Sequence, residues 1–225
     1  MLRAKILRRT SRGCALLPAA KLLLLLLPAM ASAVRLARLK PETTVLLICD
    51  VQEKFRSGIQ GFAAVVSGSQ RMLRAAGELK VPAIVTEQYP KGLGHTVSEL
   101  DTSAALVVHK TDFSMAVPEV KAAIGSASDA VIVGLEAHVC VQQTSLDLLE
   151  MGLNVHLCID AVSSQTLTDR SCGLHRAAAA GAHLTTTESV LFELIRSKDH
   201  PSFKAISTTV KETRPEQGLP FMSSL

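Results

Sequence analysis

Three residues of this 225-residue chain can do covalent chemistry together if the fold gathers them: Asp50, Lys110 and Cys140. Asp50 and Lys110 follow the short apolar runs VLLIC at 45–49 and LVV at 106–108, and Cys140 closes the turn that follows AVIV at 130–133. A thiol attacks as its thiolate, and a free cysteine has a pKa of about 8.5. The N-terminal amides of a helix and a neighbouring ammonium both favour the anion. Cys140 opens a helical pattern, and Lys110 can supply the ammonium. Asp50 can then take the thiol proton and pass it to a leaving amine, work that contributes roughly 10²–10⁴-fold. Backbone N–H groups of the turn GLEAHVC at 134–140 can hold a developing oxyanion, each worth about 3–4 kcal/mol. Residue types do not decide the matter, since a cysteine at a helix start is more often a small core residue.

The elements that must position these groups alternate. Runs that are apolar on both faces suit buried parallel strands. They fall at 45–49, 82–85, 106–108, 130–133 and 155–159, with a weaker sixth at 183–185. Between them lie helical patterns. Phe62, Val65, Val66, Leu73, Ala76 and Leu79 recur at helical spacing, and further helices are expected around 117–124, 138–151, 166–180 and 187–196. Pro118 is tolerable in a first turn, Gly152 suits a C-terminal cap, and Thr187 suits an N-cap. A last helix is expected from His200-Pro201, and residues 87–98 read as a loop. The expected fold is α/β: a three-layer α/β/α sandwich, Rossmann-like, with a six-stranded parallel sheet and right-handed crossovers. Ligands of such sheets bind beyond the carboxyl ends of the strands, where the three candidate residues stand.

Composition narrows the field. The chain is 48% hydrophobic, which excludes a mainly disordered protein. Aromatic residues make up 3%, with one Tyr and no Trp, which disfavours a base-stacking surface. The net charge of +4 is uneven. Residues 1–41 carry nine basic residues and no acid, leaving 15 basic against 20 acidic residues beyond them. The body of the chain is therefore mildly acidic, and no nucleic-acid partner is expected. The five cysteines, Cys14, Cys49, Cys140, Cys158 and Cys172, form no CxxC pair and are odd in number, which argues for reduced thiols. Cys49, Cys158 and Cys172 read as packing residues.

Residues 1–40 read as an address. Basic residues precede the run LLLLLL at 22–27, followed by Pro28 and small residues that include ASA at 31–33. The run is too short to span a bilayer comfortably. A mitochondrial presequence is the preferred reading, with a secretory signal or an untargeted extension of a cytoplasmic protein as alternatives. The remainder divides into a domain at 41–212, for which no membrane association is expected, and a loose tail at 213–225.

The stretches LLICDVQEKF at 46–55, KTDFS at 110–114 and VIVGLEAHVCVQQT at 131–144 resemble the isochorismatase-like cysteine hydrolase superfamily. That superfamily includes nicotinamidases, N-carbamoylsarcosine amidases, ureidoacrylate amidases and isochorismatases. VTEQYPKGLG at 85–94, DAVSS at 160–164 and HPSFKAI at 200–206 are similar to features of the eukaryotic isochorismatase domain-containing proteins. The resemblance implies that Asp50 is the general base, that Lys110 holds Asp50 and steadies the thiolate, and that Cys140 forms a thioester with the acyl group of a small amide. It also implies a cis peptide at Leu135–Glu136 and an oxyanion site at the amides of Glu136 and Cys140. A homo-oligomer is implied, formed through the helices or the 85–98 loop.

Metal-dependent nicotinamidases carry an Asp-x-His cluster after the second strand. This chain has Glu87-Gln88-Tyr89 there, and His95 stands isolated in sequence. No metal or other cofactor is expected, and nicotinamide is a poor fit. Gln52, Tyr89, Phe113 and His138 are candidates for the pocket wall. His109 falls on the opposite strand face from Lys110 and reads as packing. The expected activity is hydrolysis of a small amide or acyl substrate. Two other readings stand beside it: a catalytically quiet module of this fold that binds a protein partner, and an organellar RNA-processing protein.

Overall fold

Alternate residues of the first strand feed two separate cores. In β1 (Thr44–Cys49) every side chain is buried. Leu46 and Ile48 join one core, while Val45, Leu47 and Cys49 join the other. Such two-faced burial is what a central parallel strand requires. The computed structural model describes residues 37–212 and Pro215. The leader expected at 1–40 lies outside the described residues except for its last four, as does the tail expected at 213–225 except for Pro215. Leu39 is fully buried in the first core. Its N–H donates to Glu193 Oε1 at 3.1 Å and its carbonyl accepts from Arg196 Nη2 at 3.2 Å. The folded part therefore reaches ahead of the expected boundary at 41.

The other strands are β2 (Ala83–Gln88), β3 (Leu106–Lys110), β4 (Asp129–Gly134), β5 (Asn154–Val162) and β6 (His183–Thr185). All neighbours pair in parallel, in the order β3-β2-β1-β4-β5-β6. The sheet is built outward in both directions from β1 and β4, so a crevice opens between their carboxyl ends. Asp50 and the 134–140 turn lie there.

Helices cover both faces. Helices α1 (Phe62–Leu79), α6 (Thr187–Ile195) and α7 (Phe203–Lys211) pack on the Leu46 face. Helices α3 (Pro118–Ile124), α4 (Cys140–Glu150) and α5 (Leu167–Ala179) pack on the Leu47 face. This is the three-layer α/β/α sandwich with six parallel strands. Among the described residues no helix is long and apolar enough to cross a membrane.

Several local details depart from the sequence reading. β5 runs on to Val162, because an irregularity after Ile132 lets Gly134 pair with Val162. The N-cap of α6 is Thr186, whose hydroxyl accepts from Ser189 N–H at 3.2 Å. Thr187 is the first helical residue, and its N–H and hydroxyl donate to the Asp160 carboxylate at 2.8 and 2.6 Å. The 87–98 segment contains a one-turn helix, α2 (Pro90–Leu93). α4 begins at Cys140, so His138 belongs to the preceding turn.

One buried base stands on the face of the first core. His156 on β5 has its Nε2 3.7 Å from Asp129 Oδ1, too far for a hydrogen bond, and no other partner for that atom. Its ring lies 5.1 Å from that of His183. Burial and then the neighbouring His183 hold its pKa below the usual value, outweighing the charges of Asp129 and Glu193. The unfolded chain therefore binds this proton more readily than the folded one. The stabilisation is whole above the ordinary histidine pKa of about 6.5 and declines as pH falls toward the folded value. Urea midpoints should drop between about pH 7 and 5.5, and His156→Leu should flatten that drop.

Candidate active site

Asp50 is the first residue after β1. It is fully buried and takes a left-handed backbone conformation, φ 50°. Its Oδ1 accepts from the Thr86 hydroxyl at 2.7 Å, and its Oδ2 accepts from Lys110 Nζ at 2.7 Å. Lys110 ends β3 on the edge of the sheet, yet its side chain is withdrawn from solvent. Its ammonium also donates to Gln88 Oε1 at 2.7 Å and to the carbonyls of Phe113 and Asp112 at 3.0 and 3.2 Å. Burial works against this charge, but the neighbouring Cys49, Asp50 and Cys140 outweigh burial and raise the lysine pKa above its ordinary value. Lys110 is therefore a fixed cation at neutral pH.

Cys140 is the first residue of α4, at the positive end of the helix dipole. Its sulfur lies within 4.8 Å of an Asp50 carboxylate oxygen and of the Cys49 sulfur. The three residues that sequence singled out thus meet at one point. A fourth, Cys49, reads as packing from sequence but sits among them, its thiol 3.6 Å from Asp50 Oδ2. Strand alternation turns Cys49 toward the face that α4 covers. Burial, then a hydrogen bond with Cys140 and the Asp50 charge, push the Cys49 pKa well up, against the pull of Lys110. Cys49 is therefore held as the neutral thiol.

The turn before α4 is held from three sides. Gly134 has φ 113°, and a Cβ there would stand 2.1 Å from the Cys49 carbonyl oxygen. Gly173 of α5 comes as close to the turn, since a Cβ there would stand 2.3 Å from the Ala137 carbonyl oxygen. The N–H groups of Leu135 and Ala137 donate to the carbonyls of Cys49 and Ser163 at 2.7 and 2.9 Å. The Leu135–Glu136 peptide is cis. The amides of Val139 and Val141 both donate to the Glu136 carbonyl, at 3.1 Å each. The amides of Glu136 and Cys140 are not engaged in such bonds among the described residues.

The pocket candidates part company. Gln52 is buried and spent on backbone: its Nε2 donates to the Gln88 and Gly94 carbonyls at 3.0 and 2.6 Å, and its Oε1 accepts from Gln88 N–H at 2.7 Å. It latches the 88–94 segment instead of lining a cavity. Tyr89 is half exposed and lines a cleft of about 400 Å³ with Pro90, Lys91, His109, Lys110 and Thr111. Phe113 is half exposed outside that cleft, and His138 Nδ1 lies 3.1 Å from Ser164 Oγ. Cys140 is not in the cleft wall. Other hollows, along α1 beside Arg56 and Glu99, hold none of these groups.

Two histidines stand elsewhere than their sequence context suggests. His109 is not packing: it is exposed, with Nε2 3.1 Å from Glu87 Oε2. His95 is not isolated, because its Nδ1 lies 2.9 Å from the same oxygen. Thr86 and Gln88, which hold Asp50 and Lys110, were legible only through the alternation of β2. Removing one partner of the Lys110–Asp50 pair strands a buried charge, at a cost of roughly 3–5 kcal/mol. Lys110→Met should lower stability in urea unfolding at pH 7 by that amount, and adding Asp50→Asn should restore much of it.

The isochorismatase domain family model matches residues 44–189. Isochorismatase domain-containing protein 1 of Danio rerio is 46% identical over 198 residues, 86% of this chain and 70% of that protein. Isochorismatase domain-containing protein 2 of Xenopus laevis is 44% identical over 193 residues, 84% of this chain and 94% of that protein. Among solved structures, MAR1 ribonuclease from Caenorhabditis elegans superposes with a TM-score of 0.79 at 45% identity, covering 84% of this chain and 100% of that one. On the matched domain and these relatives, this chain belongs to the isochorismatase family.

Proposed function

We propose that the protein is a cysteine amidohydrolase that cleaves a small amide through a thioester on Cys140. The observation that carries this reading is the Cys140 sulfur at a helix N-terminus, within 4.8 Å of a carboxylate that is itself anchored to a buried ammonium. Asp50 accepts the thiol proton. The thiolate attacks the substrate carbonyl, and the free amides of Glu136 and Cys140 receive the negative oxygen. Asp50 returns the proton to the departing nitrogen, leaving the acyl group on sulfur. Asp50 then draws a proton from water, which attacks the thioester and releases the acid, and the thiol regains its proton.

Lys110 keeps Asp50 in place and offsets the negative charge that passes between sulfur and carboxylate. No step is routed through a metal: the chain has Glu87-Gln88-Tyr89 where metal-dependent nicotinamidases carry an Asp-x-His cluster, and Gln88 is occupied with Lys110 and Thr111. The intact thiol favours acyl transfer over the vinyl-ether cleavage that gives the family its name. The name of the C. elegans relative raises nucleic acid as a substrate. The acidic balance beyond residue 41 offers little electrostatic drive toward a polyanion.

Ammonia release from a panel of small amides, with Cys140→Ala beside the unaltered protein, tests this reading. Cys140→Ala should abolish turnover, and Asp50→Asn should lower kcat/KM by about 10²–10⁴-fold. Iodoacetamide followed by peptide mapping should label Cys140 far faster than Cys49 or Cys158, and Asp50→Asn should slow that labelling. Uniformly slow labelling with no amide turned over would instead favour a quiet protein-binding module.

A further inference from the structure

The register of β2 on β3 pairs Gln88 with Lys110 and Glu87 with His109. Alternation sends the first pair to the Asp50 face and the second to the other face. There Glu87 is the buried member of a three-residue cluster, its side chain 5% exposed, while His95 and His109 reach solvent at 76% and 60%. Glu87 Oε1 accepts from the N–H and hydroxyl of Thr96, at 2.7 and 2.9 Å. Its Oε2 is left to the two imidazoles, His95 Nδ1 at 2.9 Å and His109 Nε2 at 3.1 Å. The three atoms lie within 4.8 Å of one another. His95 is carried there by the 89–96 segment, which is held by the Gln52–Gly94 bond and a bridge between Gln52 and Thr96.

We propose that Glu87, His95 and His109 form a binding site for a divalent transition ion of the zinc class. Two imidazoles and one carboxylate are a donor set for such ions, whereas magnesium and calcium take all-oxygen shells. Ligand atoms around a tetrahedral zinc stand about 3.3 Å apart, given metal–ligand distances of about 2.0–2.2 Å. The observed 2.9 and 3.1 Å contacts need to open by only a few tenths of an ångström. Thr96 supplies the outer bonds that aim the carboxylate, as partners of metal ligands commonly do. Solvent on the histidine side fills the remaining coordination position. The site is separate from the Asp50–Lys110–Cys140 cluster and does not depend on the reaction proposed for it.

The rival explanation is that both histidines merely hydrogen-bond to Glu87. The full chain bearing Cys140→Ser, kept reduced without chelators, can be dialysed against Zn²⁺ or Co²⁺ and its metal counted by mass spectrometry. The expected result is one bound ion per chain, with a Co²⁺ spectrum free of thiolate charge transfer. His109→Ala and His95→Ala should each weaken binding at least tenfold, and Glu87→Gln should do the same. Both histidines are exposed, so their variants should keep the metal-free unfolding midpoint, and they carry the test if Glu87→Gln misfolds. No bound ion, binding unchanged in the His95→Ala/His109→Ala double variant, or a thiolate band that marks the cysteines as ligands would each overturn the proposal.

Discussion

A lysine ammonium and an aspartate carboxylate lie 2.7 Å apart with neither reaching water. Withdrawing two such ions from solvent costs several kcal/mol each unless other polar groups replace the water. Here the replacements come from separate parts of the chain: Thr86 and Gln88 on β2, and the carbonyls of Asp112 and Phe113 after β3. The pair is satisfied only when β1, β2 and β3 lie side by side in one register. The chemistry of the rim and the order of the sheet on that side are one constraint.

The proposed nucleophile, Cys140, is placed from the other half of the sheet. β4 leads into a turn packed so closely on β1 and α5 that no side chain fits at Gly134 or Gly173. The turn sets Cys140 at the start of α4, facing the carboxylate that β1 delivers. Cys49, immediately before that carboxylate, shares its surroundings but not its role. Complete burial keeps its proton on.

Much of this was readable from residues. The apolar runs announce the strands, and the order of Asp50, Lys110 and Cys140 behind them announces a shared rim, because parallel strands present their ends together. What escaped was long-range or depended on strand parity. Cys49 looks like filler until its face of β1 is known. The extra pairing of β5 beyond Ile159 depends on an irregularity in its partner. Gln52 looks like a substrate contact by type, but its amide is consumed by the backbone of a segment forty residues on. Glu87, His95 and His109 share no spacing that marks a site. Only the fold of the 89–96 segment makes them neighbours.

Neighbouring positions on β2 and β3 carry opposite assignments: Gln88 and Lys110 serve the Asp50 face, while Glu87 and His109 serve the other. The strand length ahead of Lys110 is therefore under strict control. A single inserted or deleted residue between Leu106 and Val108 would rotate everything after it by half a turn. The ammonium would be delivered to solvent and an imidazole to the buried carboxylate. Descendants of this chain are free to drift in the lengths of their surface connections, but the edge strand has to be inherited residue for residue.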